Sequence, residues 1–404
     1  MNINLKSIKF IKILSLQNIP LSVNQLTIIT GANASGKSNI LAGFKFLSDA
    51  VNMDTVPPVS LLTESAWAGG IEPIGLELAI MVDDTQANYQ LEIALGPAAY
   101  IRREHLELVD GNTTQSVINI SNGSGYVYDE GNSIVETPFN PAMPKIALGS
   151  AGDYGNRPVT SAIQQFMASW TFYHLQPNII RSSHELQHFF QKGQFRQALP
   201  STLDDEGAKV AAVLARWQES MPDKFELVNT ALVDTLGLSI HSKPSTNGTH
   251  TNGHYEFFLD EGYQQLIPLS RASDGTLRLL AYLILLNQDT LPPLIAIEEP
   301  EQNLHPNTLP ILASYLAQLS KRTQVIITTH SVQLLDAFEP SSNIAVLLLK
   351  NRLGQGTHVL NVLKERHRHP ALDGWIDDFG MGSAIFESEL IDDLLKHDGL
   401  EKMT

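Results

Sequence analysis

The stretch Gly31–Ser38 contains residue types that bind nucleotide phosphates. It reads Gly-Ala-Asn-Ala-Ser-Gly-Lys-Ser, which fits the pattern of a glycine, four variable positions and then Gly-Lys-Ser. Gly31 and Gly36 allow a tight turn whose backbone N–H groups point inward. Lys37 is placed to reach the outer phosphates, and the Ser38 hydroxyl to hold Mg²⁺. The stretch therefore predicts a phosphate-binding loop; the alternative is a chance match in a glycine-rich turn.

The flanking sequence provides the elements that such a loop needs. Residues 26–30 form a short apolar run typical of a buried strand, and residues 39–47 carry apolar side chains at helical spacing. A helix that starts after the loop directs its positive N-terminal end at the phosphates. This strand–loop–helix order favours nucleotide binding over a chance match.

Two carboxylates follow a second buried-strand pattern. Residues 294–297 are a continuous apolar run, and Glu298 and Glu299 come directly after it. Carboxylates at the end of a parallel strand, in a chain with a phosphate loop, indicate Mg²⁺ coordination and water activation. We expect Glu298 on the Mg²⁺ side, and Glu299 to orient or deprotonate the attacking water. The alternative is an acidic surface turn.

A third run, residues 325–329, ends at His330. A histidine at the end of a parallel strand can hydrogen-bond a γ-phosphate, although a lone histidine is more often structural. Ser273 precedes an apolar helical pattern and occupies the position of an N-cap. The same helix end can also bind an anion, and the two interpretations are compatible.

The composition limits the class of protein. The chain has 404 residues, 43% of them hydrophobic, no cysteine and a formal net charge of −16. Its length exceeds that of one compact domain, and it has no thiolate metal site or disulfide. The acidic charge argues against strong unaided DNA binding, without excluding a local basic patch. We see no secretory leader or membrane span and expect a cytoplasmic protein that contacts no membrane.

The remaining patterns predict where strands and helices lie. Residues 5–15 and 19–30 are predicted to be two strands joined at 18–20. From about 73 to 150 the apolar period is two, which predicts an antiparallel meander. Helical patterns cover 160–169 and 183–236, and 237–269 returns to strands around a hairpin tip at 246–253.

Together these motifs resemble the ATP-binding-cassette ATPases of the RecF, SMC and OLD branch, found in many prokaryotic "AAA family ATPase" proteins. Residues 273–276 resemble their signature motif, 297–301 their Walker B motif, 303–306 their D-loop, and His330 their switch histidine. Gln176 lies where their Q-loop glutamine, a Mg²⁺ ligand, would lie. Their Walker A motif is matched by Gly31, Asn33, Ala34, Ser35, Gly36, Lys37, Ser38 and Asn39.

The resemblance implies an α/β fold: an ABC ATPase head with a parallel core sheet around the P-loop, an antiparallel β subdomain and a helical lobe. It divides the chain into an N-terminal P-loop part, a β subdomain with the Q-loop strand, a helical lobe with strands, a part with the signature, Walker B and switch histidine, and a C-terminal extension. These cover 1–72, 73–176, 177–270, 271–350 and 351–404.

The resemblance also implies a mechanism. Two heads of this family sandwich two ATP molecules, so Ser273, Asp274 and Gly275 would bind the ATP of a second copy and hydrolysis would require a homodimer. ATP and Mg²⁺ are the implied ligands. Two departures stand out: Glu298 replaces the usual Walker B aspartate, and the signature lacks the double glycine of transporters.

Three functions follow. The first is a dimerising switch ATPase that controls a separate effector protein, in prokaryotic anti-phage defence. The second is a RecF-like DNA repair clamp, and the third is an ATP-dependent scaffold without turnover. Residues after His330 contain Asp373, Asp377 and Asp378 but no strand-borne Glu…Asp-x-Asp pattern, so we expect no intrinsic nuclease. A predicted helix around 390–395 is either a core helix or a docking site for the partner. The basic residues 366–369 are either a solvated loop or a contact to phosphate or metal.

Overall fold

The structure is a computed structural model that describes residues 1–70, 72–96, 98–138, 145–150, 156–183, 199–244 and 255–388. The strands are β1 (Ile3–Ile13), β2 (Leu16–Ser22), β3 (Leu26–Thr30), β4 (Ile74–Val82), β5 (Thr85–Leu95), β6 (Ala99–Asp110), β7 (Thr113–Ser121), β8 (Ser124–Asp129), β9 (Asn132–Pro138), β10 (Thr171–Tyr173), β11 (Ser239–Pro244), β12 (Tyr255–Asp260), β13 (Ile267–Pro268), β14 (Leu294–Glu298), β15 (Gln324–Thr329), β16 (Ile344–Arg352) and β17 (Gly356–Asn361). The labelled helices are α1 (Lys37–Asn52), α2 (Val59–Ser65), α3 (Pro158–Ala168), α4 (Val210–Ser220), α5 (Pro222–Leu236), α6 (Asp274–Asn287), α7 (Leu309–Ser320), α8 (Val332–Asp336), α9 (Val362–Arg366), α10 (Pro370–Phe379) and α11 (Met381–Phe386).

A six-stranded sheet carries the phosphate loop. Its order is β10-β14-β15-β3-β16-β17, and every neighbouring pair is parallel except β16 and β17. β3 is a central strand with all five residues buried. Because parallel strands end at the same edge of a sheet, the residues that follow β3, β14 and β15 lie along one edge. The predicted parallel core sheet is confirmed.

Both faces of this sheet are covered, which explains why its strands are continuous apolar runs. Ile28, Ile295 and Ile327 belong to a core that they share with helices α4 to α8. The neighbouring residues Ile29 and Ile326 face the opposite side and share a second core with α1, α3 and the strands of the antiparallel sheet. Helix α1, which follows the phosphate loop, is therefore packed between the two large sheets.

An eight-stranded antiparallel sheet forms the second layer, in the order β2-β1-β4-β5-β6-β7-β8-β9. β4 and β5 form the predicted hairpin, with Val82 opposite Thr85 and a turn at Asp83, whose φ is 50°. Buried residues alternate with more exposed ones along both strands, as expected when one face packs on a core. The predicted antiparallel meander is confirmed.

The prediction for residues 19–30 was wrong in one respect. This segment is not one strand: β2 ends at Ser22 in the antiparallel sheet, and β3 starts at Leu26 in the parallel sheet. The chain changes sheets at Asn24, whose N–H donates to the Thr27 hydroxyl at 3.0 Å. Pro20, expected in the connection, lies in β2, because an edge strand tolerates a residue that has no N–H to donate.

The helical prediction for 183–236 is confirmed at α4 and α5, whereas the described residues 199–209 are not helical. Pro222 starts α5, and Gly237, with a φ of 69°, follows its last residue in the left-handed conformation typical of a helix end. β11, β12 and β13 form a small antiparallel sheet beside these helices. The predicted hairpin tip at 246–253, the helix around 390–395 and the helical pattern within 184–198 lie outside the described residues. None of the helices that the structure describes is long and apolar enough to span a bilayer.

Candidate functional site

The phosphate loop has the backbone conformation that its glycines predict. Gly31 and Gly36 have φ angles of 147° and 105°, and Ala34 is also left-handed at 59°. A Cβ at Gly31 would collide with the carbonyl oxygen of Leu349, and one at Gly36 with the Thr357 hydroxyl. These two positions therefore require glycine both for the backbone angle and for space.

Lys37 lies over the loop that precedes it. Its Nζ donates to the carbonyl oxygens of Gly31 at 2.7 Å and Ala32 at 3.1 Å, and the residue is buried. Burial lowers the pKa of Lys37, while the charges of Glu299, Glu301 and Glu298 oppose that effect. The lysine therefore faces the carboxylates that follow β14.

Ser38 and Glu298 connect the start of α1 to the end of β14. The Ser38 hydroxyl donates to Oε1 of Glu298 at 2.5 Å. These residues are 260 positions apart in the chain, and the parallel pairing of β14, β15 and β3 brings them together. A hydroxyl and a carboxylate oxygen are ligands that suit Mg²⁺.

Glu299 and His330 are in direct contact. His330 Nδ1 lies 3.0 Å from Glu299 Oε1, and Gln302 donates to Glu299 Oε2 at 2.6 Å. Burial disfavours the charged form of Glu299, but the bonds from Gln302 and His330 and the charges of His330 and Lys37 outweigh it, so the pKa of Glu299 lies below its ordinary value. Glu299 is therefore an ionised carboxylate at neutral pH, held in place by two partners.

The backbone at Glu299 is in an uncommon conformation. Its φ is 43°, in the left-handed region that non-glycine residues rarely adopt, and its N–H donates to Thr328 at the end of β15. Such a conformation persists only where the surrounding contacts hold it, and it occurs often at functional sites. Here it turns the chain sharply after β14.

Glu301 belongs to the same edge, although the sequence reasoning gave it no role. Its Oε1 accepts from the Thr329 hydroxyl at 2.5 Å and from the His330 N–H at 3.3 Å, while its buried Oε2 has no hydrogen-bond partner among the described residues. Burial raises the pKa of Glu301 against these hydrogen bonds. The position of Glu301, two residues after Glu299 in an acidic run, was the only available signal.

The other loop residues differ in exposure. Asn33 and Ala34 are exposed, and the Ala34 carbonyl accepts from Asn351 at 3.2 Å. Ser35 is buried, with a hydroxyl that has no hydrogen-bond partner among the described residues. The Asn39 side chain makes no described hydrogen bond to the carboxylates and donates to the Ser15 hydroxyl at 2.7 Å.

The signature residues 273–276 lie at the start of α6 and have their hydrogen-bond partners outside the phosphate loop. Ser273 caps α6 by accepting from the Thr276 N–H at 3.2 Å, as its type predicts. Asp274 pairs with Arg181 and accepts from Asn303 at 3.4 Å, and Gly275 packs against the Asn303 carbonyl. None of the hydrogen bonds described for Ser273 or Asp274 reaches the phosphate loop.

Gln176 follows β10, the strand beside β14. Its side-chain amide donates to Glu206 at 3.2 Å, and its N–H donates to the Glu206 carbonyl. The structure thus places Gln176 near the correct edge but joins it to the helical side of the molecule. No described hydrogen bond connects Gln176 with Ser38 or Glu298.

The basic residues after β17 are already paired. Arg366 binds the carboxylates of Asp373 and Asp377, and Arg368 binds Glu365 at 2.9 Å. The two contacts of Arg366 join α9 to α10. They raise the pKa of Arg366, chiefly through the hydrogen bond to Asp373.

Comparisons with known proteins give a family and several relatives. Residues 26–336, more than half of the chain, match the model of a family described as "AAA domain, putative AbiEii toxin, Type IV TA system". The chain is 22% identical over 379 residues to "Old nuclease" of Escherichia phage P2, an alignment that covers 86% of this chain and 59% of that protein.

Similar solved structures include two SMC heads. The SMC head domain from Thermotoga maritima is 13% identical with a TM-score of 0.46, covering 89% of this chain and 98% of that chain. The Smc head domain with an extended coiled coil bound to the C-terminal domain of ScpA, derived from Pyrococcus furiosus, is 12% identical with a TM-score of 0.48. That alignment covers 92% of this chain and 100% of that chain.

Proposed function

This chain belongs to that family of AAA domains, and we propose that it binds ATP with Mg²⁺ and hydrolyses it to ADP and phosphate as a molecular switch. One observation carries the proposal. The functional side chains that were predicted from three separate segments converge at one edge of the parallel sheet. These side chains are Lys37, Ser38, Glu298, Glu299 and His330.

The residues present fit a nucleotide with Mg²⁺. The left-handed backbone at Gly31 and Gly36 gives the loop its tight turn, and Lys37 offers a cation at the start of α1. Ser38 and Glu298 would hold Mg²⁺, which supplies charge neutralisation at the phosphates when bound. Glutamate is one methylene longer than the usual aspartate, and its carboxylate still reaches the Ser38 hydroxyl.

Glu299 would act on the attacking water. Its pKa lies below the ordinary value, so it is ionised at neutral pH but is a weak base. This favours orienting the water by a hydrogen bond over removing its proton fully before attack. His330, in contact with Glu299 Oε1, would fix the direction of that carboxylate and reach towards the γ-phosphate.

A second copy of the chain would complete the site. The Ser273 end of α6 is a helix N-terminus with exposed Ser273, and its described hydrogen bonds stay away from the phosphate loop of the same chain. An ATP-dependent homodimer would place this helix end on the γ-phosphate bound by the partner's loop. Binding of ATP would then control association, which makes the nucleotide a switch as well as a substrate.

We assign the output of the switch to a separate effector protein, in anti-phage defence. The support for defence is the family, whose description names a toxin–antitoxin system. The nuclease named in the phage relative is a property of that longer protein. In this chain Asp373 and Asp377 lie on α10 and are paired with Arg366, which argues against their use as metal ligands of a nuclease.

Phosphate release under saturating Mg-ATP tests the proposal. We expect Lys37→Ala to lose nucleotide affinity by on the order of 100-fold, because charge-assisted contacts to phosphate disappear. Lys45→Ala, on an exposed position of the same helix, is the matched control and keeps wild-type turnover. A wild-type protein that releases no phosphate, alone or with its partner, contradicts the ATPase proposal and favours a scaffold.

Mixing variants tests the composite site in the same assay. Ser273→Arg should bind ATP but lose turnover, since the bulky side chain blocks the partner's phosphate. An equal mixture of Ser273→Arg and Lys37→Ala should recover about a quarter of wild-type activity, because half of the dimers have one intact site. Recovery of none, with both variants folded, contradicts hydrolysis across a dimer.

A further inference from the structure

The hairpin of β16 and β17 lies against the phosphate loop, although it is distant in sequence and outside the matched segment 26–336. β16 runs parallel to β3, so it delivers the hairpin to the edge where the loop begins. The two loop glycines contact this hairpin directly: Gly31 lies beneath the Leu349 carbonyl and Gly36 beneath the Thr357 side chain. The hairpin therefore forms one wall of the loop.

Thr357 is at the centre of a hydrogen-bond chain. It is 1% exposed, and its hydroxyl lies 3.1 Å from the Ser35 carbonyl and 2.8 Å from the Ser15 hydroxyl. Ser15, in the turn between β1 and β2, accepts from the Asn39 side chain at 2.7 Å. The Thr357 N–H also donates to the Ser15 carbonyl at 2.9 Å.

The proton of each hydroxyl has one consistent direction. The Ser35 carbonyl has no proton, so the Thr357 hydroxyl must donate to it. Ser15 must then donate to Thr357, which leaves the Ser15 oxygen free to accept from Asn39. The chain of hydrogen bonds thus runs from α1 through the β1–β2 turn and the hairpin back to the loop. Each hydroxyl in it both donates and accepts where a partner is present.

This chain of hydrogen bonds fixes the orientation of one peptide group. In a trans peptide the C=O and the following N–H point in opposite directions, and the structure contains no cis peptide bond in its described residues. When the Ser35 carbonyl points to Thr357, the Gly36 N–H points away from the hairpin. That N–H has no hydrogen-bond partner among the described residues, so it is available for an anion.

We propose that Thr357, through its hydroxyl chain with Ser15, is a positioning residue that aims the Gly36 N–H at the bound phosphates. The inference rests on the proposed nucleotide site and deepens it, because it makes a C-terminal hairpin part of the phosphate-binding machinery. Asn351, on the same hairpin, donates to the neighbouring carbonyl of Ala34.

Titration with a fluorescent ATP analogue, mant-ATP with Mg²⁺, tests this role. Thr357→Val keeps the side-chain shape and removes the hydroxyl, and we expect it to weaken affinity by about three- to ten-fold, the value of one lost hydrogen bond. Thr357→Ser restores the hydroxyl and should bind within about two-fold of wild type. Ser15→Ala breaks the chain from a less buried position and covers the case in which Thr357→Val does not fold.

The matched control is Thr323→Val. Thr323 is a buried threonine whose hydroxyl donates to the Pro292 carbonyl at 2.5 Å, away from the phosphate loop. It should lose thermal stability to a similar degree and keep wild-type affinity. The double variant of Ser15→Ala and Thr357→Val should be no weaker than the worse single variant, because both break the same chain.

The outcomes separate the two ideas. Wild-type binding that Lys37→Ala strongly weakens, with unchanged affinity in Thr357→Val and Ser15→Ala, overturns the positioning role and leaves the proposed ATP site intact. A loss in Thr357→Val that Thr357→Ser does not restore also overturns it. If the wild-type protein binds no mant-ATP, the proposed function fails and this inference fails with it.

Discussion

The two large sheets hold glutamates in opposite ways. At the edge of the parallel sheet, Glu299 lies beside His330 and near Lys37, and these groups contribute to a pKa below the ordinary value. In the antiparallel sheet, Glu104 is fully buried and has no cationic side chain among its hydrogen-bond partners. Burial raises the pKa of Glu104 to about 7, against the hydrogen bonds that it accepts.

The partners of Glu104 show what it does. Its carboxylate accepts from the backbone N–H groups of Ala147 and Leu148 at 2.8 Å, and from the Tyr89 hydroxyl at 3.1 Å. Burial beside this carboxylate raises the pKa of Tyr89 well above its ordinary value. Glu104 thus fastens residues 147–148 to the face of the sheet, which is a structural task.

This contrast distinguishes a carboxylate that is placed for chemistry from one that anchors the fold. An ionised carboxylate beside cations, at the carboxyl ends of parallel strands, is available to ligands. A carboxylate closed off by backbone donors on a β-sheet is not. Variants at Glu299, Glu301 and Glu104 test this contrast.

The largest effect is expected for Glu299→Gln. The amide retains a similar shape but loses the charge that orients water, so we predict a decrease in kcat of at least about 100-fold with ATP binding preserved. Single-turnover phosphate release and mant-ATP titration measure the two quantities. As the control, Glu104→Gln should hydrolyse ATP within about two-fold of wild type. Normal hydrolysis by Glu299→Gln contradicts the role assigned to Glu299.

Glu301 shares one feature with each of these glutamates, since it is buried like Glu104 but lies at the same edge of the parallel sheet as Glu299. In Glu301→Gln the amide oxygen can still accept from Thr329 and His330, while the charge near Lys37 disappears. We predict a decrease in kcat of about three- to ten-fold and an altered pH profile of kcat. The exposed Glu339→Gln is the control, and a variant that loses stability but no turnover shows that Glu301 is only an anchor.

The third effect is on stability and not on turnover, and it is a pH dependence due to Glu104. The folded state holds its proton more tightly than the unfolded chain, so its contribution is full below the ordinary pKa of 4.5 and declines as pH rises towards about 7. The decline is roughly 3 kcal/mol in the free energy of unfolding. Urea unfolding of wild type and Glu104→Gln at about pH 5 and pH 8 measures the difference, and a difference independent of pH contradicts the assignment.

Much of the site was predictable from buried-strand patterns that are followed by polar residues. Residues 26–30, 294–297 and 325–329 are apolar on both faces, which identified buried parallel strands, and the polar residues after them had to meet at one edge. The contact between Ser38 and Glu298 follows from that geometry alone. The sheet change at Asn24 was not predictable, because an apolar run does not show which sheet it will join.

Local sequence was enough to indicate the chemical groups of the site: a glycine loop that can turn, a lysine and a serine after it, and carboxylates and a histidine after buried strands. The neighbours of these groups depend on the folded chain, as shown by Glu301 beside His330, Gln176 bound to Glu206 and Thr357 against Ser35. The two kinds of interaction differ in the separation along the sequence over which they act. Turn and strand preferences act over a few residues and leave a readable pattern, whereas a hydrogen bond between residues 322 positions apart depends on how whole sheets pack.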